Sequence, residues 1–193
     1  MGTGVGPKHI DEVWGIAKAY TTRVGAGPFP SELHDGVADL LRDRGGEFGT
    51  TTGRPRRIGW LDLVALRYAA RLNTLTALAV TKLDVLSGLE RIQVCTSYRG
   101  GEGAVFDDFP YHQTVLHHTS AKLTELPGWR EDLAECRTLS DLPDAARDYL
   151  QFISEQVEVP IALVGVGPGR EQVIWTEAGR HMLAAGDGAS AAL

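Results

Sequence analysis

The sequence predicts an α/β fold: a mostly parallel central sheet flanked by helices, with an antiparallel β-hairpin region added. Three observations carry that reading. Leu75–Val80 and Pro160–Val166 are short, continuously apolar runs, the pattern of strands buried on both faces of a sheet. Trp60–Asn73 and Asp141–Val157 carry apolar residues at helical spacing, so helices alternate with those strands. Ile92–Tyr98 alternates in character, which fits a half-buried strand and places the hairpin region around residues 92–120.

In chain order, Gly2–Pro7 is a glycine-rich turn. Lys8–Tyr20 reads as a helix, with Ile10, Val13, Trp14 and Ala17 to one side. Thr21–Pro30 is a loop punctuated by Gly25, Gly27, Pro28 and Pro30, after which Ser31 is a candidate N-cap for a short helix. Trp60–Asn73 presents Leu61, Val64, Ala65, Tyr68, Ala69 and Leu72 on one face. Its N-terminus follows an arginine-rich loop directly, so its free N–H groups would add to an anion site there. Leu75–Val80 leads straight into Thr81-Lys82-Leu83-Asp84. Arg99–Pro110 is a glycine-rich acidic loop. His112, His117 and His118 lack the helical spacing of a metal pair and read as solvated. Asp141–Val157 turns Ala146, Tyr149, Leu150, Ile153 and Val157 inward. Residues 1–176 form one unit, and the Ala- and Gly-rich 177–193 is expected to be a disordered tail.

Composition narrows the function classes. The chain has 193 residues, formal charge −6, 43% hydrophobic and 23% charged residues, ordinary for a globular protein with one core. The acidic balance argues against general nucleic-acid binding. No apolar run approaches the roughly 20 residues of a membrane helix, and MGTGVGPKHI lacks a secretory core. Cys95 and Cys136 are far apart and read as reduced structural thiols, so a cytoplasmic protein is expected.

Against that acidic background, Glu47–Trp60 (EFGTTTGRPRRIGW) concentrates Thr50, Thr51 and Thr52 with Arg54, Arg56 and Arg57 between glycines. Hydroxyls, accessible backbone N–H groups and forked guanidiniums suit an anionic small molecule. Thr81-Lys82-Leu83-Asp84 at the carboxyl end of a strand resembles the guanine-reading NKxD motif of GTP-binding proteins: an Asp carboxylate can accept from guanine N1–H and from its 2-amino group, while adenine offers no such pair. The lysine stem can lie over the base with its ammonium in water.

EFGTTTGRPRRIGWLDLVALRYAARLN, with AYTTRVGAGPFPSEL before it and TKLDVLSGL after it, closely resembles the adenylosuccinate synthetases, with weaker likeness to about Ile174. The family joins IMP to L-aspartate with GTP and Mg²⁺ in AMP biosynthesis. GTP phosphorylates the IMP 6-oxygen, and the amine of aspartate displaces that phosphate. By resemblance, Val24, Thr50, Thr51, Thr52, Gly53, Arg54 and Arg56 bind aspartate and IMP, with Arg54 toward IMP and Arg56 also toward GTP. Lys82, Leu83, Asp84, Gly165, Val166 and Gly167 form the guanine pocket. Gly165 stands where the family usually has a hydroxyl, and Gly169 where an acidic residue is common. The glycine run Gly2–Pro7 resembles a segment lying well inside family members, which implies that this sequence corresponds to their C-terminal portion. The phosphate loop, the catalytic Asp and His and the Mg²⁺ ligands would then belong to an N-terminal half, leaving no catalytic residue and no metal ligand here. The resemblance implies a homodimer or a separate N-terminal half as partner. The alternative is a non-catalytic remnant or split subunit that binds nucleotide only with that half.

Overall fold

The computed structural model describes residues 4–190, so part of the N-terminal glycine run and the last residues of the tail lie outside it. The architecture is α/β. Strand β1 (Trp14–Lys18) pairs in parallel with β5 (Ala77–Thr81), β5 pairs in parallel with β9 (Ile161–Gly165), and β10 (Val173–Trp175) closes the sheet antiparallel to β9. A ribbon of β2 (Thr21–Arg23) and β3 (Arg57–Gly59) and a second sheet complete the strands: β4 (Leu61–Asp62), β6 (Arg91–Arg99), β7 (Val105–Phe106) and β8 (Ser120–Pro127). Helices α1 (Gly36–Gly45), α2 (Leu63–Asn73), α3 (Gln113–His117), α4 (Asp144–Val157) and α5 (Glu177–Ser190) flank them.

The main departure from the sequence reading is at the start. Lys8–Tyr20 is no helix: it holds a single 3₁₀ turn, Pro7–His9, and then β1. Val13, Trp14 and Ile16 favour strand, and Gly15 weakens a helix. Gly15 also has a packing role, because a Cβ there would come within 2.4 Å of Leu75 Cδ1. Ser31 caps nothing; it is buried, and its carbonyl accepts from Trp60 N–H. The helix starts later, where Asp35 caps Val37 and Ala38 N–H, and it ends at a left-handed Gly46. Helix α2 begins at Leu63 rather than Trp60. Leu61 and Asp62 pair with Val94 and Cys95, and the Asp62 carboxylate caps Ala65 N–H.

Helix α4 packs Ala146, Tyr149, Leu150, Ile153 and Val157 into a core shared with Leu78, Val80, Leu83, Leu86 and Val164. The hairpin expectation is met by the long antiparallel pairing of β6 with β8. The tail departs from the sequence reading, since Glu177–Ser190 is helical. Thr176 Oγ1 caps Gly179 N–H at 3.1 Å, and a Cβ at Gly179 would meet Ala162 O at 2.2 Å. Three glycines argue against a helix by propensity, and one of them, Gly179, is what lets this helix reach the sheet.

Candidate functional site

Parallel strands present their carboxyl ends on one side of a sheet, where α/β folds place ligands. Here β1 ends at Lys18, β5 runs into Lys82-Leu83-Asp84, and β9 ends at Gly165 followed by Val166 and Gly167. Strands β5 and β9 are neighbours, so the Lys82–Asp84 turn and the Gly165–Gly167 turn lie side by side; a Cβ on Gly165 would sit 3.4 Å from Thr81 Cα. Leu83 is buried and anchors its turn. Asp84 is half-buried, and no other side chain hydrogen-bonds to its carboxylate among the described residues. Burial pushes its pKa above the usual aspartate value, against the opposing pull of Lys82. Val166 is buried, and its N–H is bonded to Gln172 O. Gln172 Oε1 accepts from Gly169 N–H at 2.9 Å, so Gln172 braces this turn from within.

Over the same end of the sheet lies a hairpin. Phe48 and Pro55 form an antiparallel bridge, Gly49 N–H bonds Arg54 O, and Gly53 N–H bonds Gly49 O. Thr50, Thr51, Thr52, Gly53 and Arg54 form its exposed tip. Gly53 has φ 63°, a left-handed turn position suited to glycine. The Arg54 guanidinium makes no ion pair among the described residues.

The three arginines have different surroundings. Arg54 is free. Arg57 is structural: it forks onto Glu32, donates to Gly25 O and Gly27 O, and lies 5.4 Å over the Phe29 ring. It thereby shapes the loop that carries Val24, whose side chain is exposed. Arg56 is intermediate, donating from Nη1 to Glu47 Oε2 at 2.6 Å.

Glu47 is the residue sequence reasoning missed. It is fully buried, and its Oε1 accepts from Lys18 Nζ at 2.8 Å and Tyr20 OH at 2.8 Å, with Lys82 Nζ at 3.2 Å. Burial alone would raise its pKa, but hydrogen bonds from Lys18, Arg56 and Tyr20 outweigh that and hold it at about 2. Three cations thus share one carboxylate, leaving a local surplus of positive charge. The one available signal was its place at the start of the arginine stretch; its partners on β1 and β5 are distant in sequence.

One further reading changes. The N-terminus of α2 does not extend the arginine loop, because β3 and β4 intervene and the buried Asp62 occupies that end. A cleft of about 410 Å³ lies along β1, lined by Ile16, Lys18, Thr22, Asp62, Tyr98 and Phe109. It shares Lys18 and Tyr20 with the convergence just described, but neither the hairpin tip nor Asp84 lines it. Among the described residues no cluster of three or more His, Cys, Asp or Glu could hold a metal, and no helix is long and apolar enough to cross a membrane. Cys95 and Cys136 are both free and buried.

Comparison with known proteins places this arrangement. The adenylosuccinate synthetase family profile matches residues 1–174. An adenylosuccinate synthetase of Acidothermus cellulolyticus is 55% identical over 177 residues, 92% of this chain and 41% of that protein. One from Pelotomaculum thermopropionicum is 56% identical over 176 residues, 91% of this chain and 41% of that protein. The solved structure of a fully ligated adenylosuccinate synthetase from Plasmodium falciparum superposes with a TM-score of 0.87 at 38% identity, over 91% of this chain and 42% of that one. The chain thus spans about 41% of the length of the curated relatives it matches. With a family-wide match over nearly its whole length, and with the parallel sheet and its crowded carboxyl end in place, the chain belongs to the adenylosuccinate synthetase family.

Proposed function

We propose that this chain supplies the guanine pocket and the aspartate and IMP loop for GTP-dependent ligation of IMP to L-aspartate, a step of AMP biosynthesis. The observation that carries the proposal is Asp84: a half-buried carboxylate with no side-chain partner, beside Lys82 at the carboxyl end of β5 and next to the Gly165–Gly167 turn. Two lone acceptor oxygens in a partly desolvated cleft fit the N1–H and 2-amino donors of guanine. Leu83, packed in the core, keeps the turn in place, and Gly165, Val166 and Gly167 offer backbone on the other side.

Thr50, Thr51, Thr52 and Gly53 would meet the aspartate with hydroxyls and backbone N–H groups. Arg54, unpaired and forked, would hold its carboxylate and face IMP. Arg56, held at one nitrogen by Glu47, would keep its remaining donors for charge on the GTP side. Backbone near Val24 would touch the IMP ribose. Proton transfer and the cradle for the phosphates would come from residues outside this chain, as would the ligands for Mg²⁺, which supplies charge neutralisation at the phosphates when bound. The working unit is a homodimer or an assembly with the remaining part of the family's length, in the cytoplasm.

The test is a base swap at Asp84. Asp84→Asn sets an NH₂ against a guanine donor, and an unpaired buried polar group costs about 1–3 kcal/mol. GTP affinity should fall by about one to two orders of magnitude while XTP, with a carbonyl in place of the amine, gains. Binding of both nucleotides is measured by calorimetry, in the complete assembly if needed. Loss of GTP without gain of XTP would count against the base-reading role.

A further inference from the structure

We propose that Glu47 is a positioning residue that locks the hairpin to the base-reading turn, so that Arg56 of the one and Lys82 of the other are held as a single array. The geometry divides the work between its two oxygens. Oε2 takes Arg56, while Oε1 takes Lys18, Lys82 and Tyr20. The main chain reinforces the same bend. Glu47 N–H donates to Arg42 O, Arg56 N–H donates to Glu47 O, and Arg42 Nε donates to Arg56 O. Lys82 also donates to Gly45 O, two residues before Glu47. Turn and hairpin are therefore fastened to one short segment, Gly45–Glu47, from opposite sides.

A buried carboxylate can serve the fold with neutral donors alone, as Asp62 does with Tyr98 OH and Ala65 N–H. Three cations brought from β1, the hairpin and the β5 turn exceed the one buried carboxylate they share, and Asp84 beside Lys82 offsets only part of that surplus, an arrangement that suits an anionic ligand. The three cations are each about one-third exposed while Glu47 is fully buried, so the carboxylate holds them from the interior and a ligand would meet the cations first. Glu47 therefore acts through Arg56 and Lys82 rather than on a ligand. The ligand side of this inference rests on the guanine-pocket proposal; the lock itself is a property of the free protein.

The experiment is amide hydrogen exchange on the whole chain, comparing wild type with Glu47→Gln and Tyr20→Phe. Four amides report: Gly49 and Gly53 in the hairpin, Val85 and Ser87 in the turn, each donating a backbone hydrogen bond. Glu47→Gln should speed exchange at least tenfold at all four, with β6 and β8 unchanged. Tyr20→Phe, which removes one donor to Oε1 without adding volume, should do the same about threefold, and it decides the question alone if Glu47→Gln fails to fold. Change confined to the hairpin, or spread equally over β6 and β8, would overturn the lock. GTP then serves as probe. It should protect Val85 and Ser87 in wild type and Glu47→Gln, but Gly49 and Gly53 only where Glu47 is intact; equal hairpin protection in both proteins would also overturn it. Coupling in the free protein with no protection by GTP anywhere would support the lock and count against the guanine pocket instead.

Discussion

Two regions of this molecule each bury a carboxylate, and they do so on opposite electrostatic terms. At the carboxyl end of the parallel sheet, Glu47 is fully buried among Lys18, Arg56 and Lys82. Where β4 meets β6, Asp62 is nearly as buried but has neutral partners: Tyr98 OH at 2.6 Å and Ala65 N–H at 3.0 Å. Burial raises the Asp62 pKa above its ordinary value, and the hydrogen bonds only partly offset it. At Glu47 the balance runs the other way, to about 2. Depth of burial is thus a poor guide to the state of a carboxylate; the charge brought to it decides. The first region gathers cations from three separate elements, which costs the fold something and suits a ligand. The second caps a helix and closes a sheet.

The largest expected effect breaks the first region. Glu47→Leu leaves three crowded cations without their partner and should destabilise the chain by about 3 kcal/mol, read by urea denaturation. A loss below about 1 kcal/mol would make the cluster a surface-like network. Acid sharpens the contrast. A carboxylate whose folded pKa is depressed contributes stability that is present above its unfolded value and lost as pH falls through the folded one. Glu47 should therefore give wild type a loss of stability between about pH 4.5 and about pH 2 that is missing in Glu47→Gln. Asp62, with a raised pKa, contributes with the opposite sign: ionising it costs stability as pH rises. Equal slopes for Glu47→Gln and wild type would refute the assignment.

Next in size is the split between neighbouring arginines. Arg57→Ala strips Glu32 of its forked partner and loosens the Gly25–Gly27 loop, an expected loss of about 1–2 kcal/mol in thermal melting. Arg54→Ala should change melting by less than about 0.5 kcal/mol while weakening capture of a dicarboxylate such as aspartate in the complete assembly. Equal melting losses would erase the division between structural and ligand-facing cations. A small effect is also expected at Asp62→Asn. The amide oxygen can still cap Ala65, so stability at pH 7 should move by no more than about 1 kcal/mol. A much larger loss would show that the ionised form of Asp62 is needed.

Much of the fold was legible, and the reasons for the misses are physical. Strands β5 and β9 and helix α4 declare themselves because each has one environment along its length. Strand β1 does not, since Val13, Trp14, Ile16 and Ala17 satisfy both periods, and only the pairing with β5 decides. Helix α5 is hidden because it carries three glycines, of which Gly179 sits in contact with Ala162 rather than serving propensity. In the site, the hairpin and the Lys82–Asp84 turn carry local signatures. Glu47 carries only its place ahead of three arginines, where it looks like a surface counter-ion, and its role appears only when β1 and β5 bring two lysines to it.

Lys82 holds a left-handed backbone, φ 61° and ψ 33°, which costs a residue with a side chain about 1–2 kcal/mol and glycine almost nothing. That twist turns the chain sharply off the end of β5, driving Leu83 into the core and leaving Asp84 at the rim. The turn is a bent spring held by its neighbours. On the proposed reading, a ligand at Asp84 would meet a turn that folding has already bent, so that ordering penalty would not be charged against affinity.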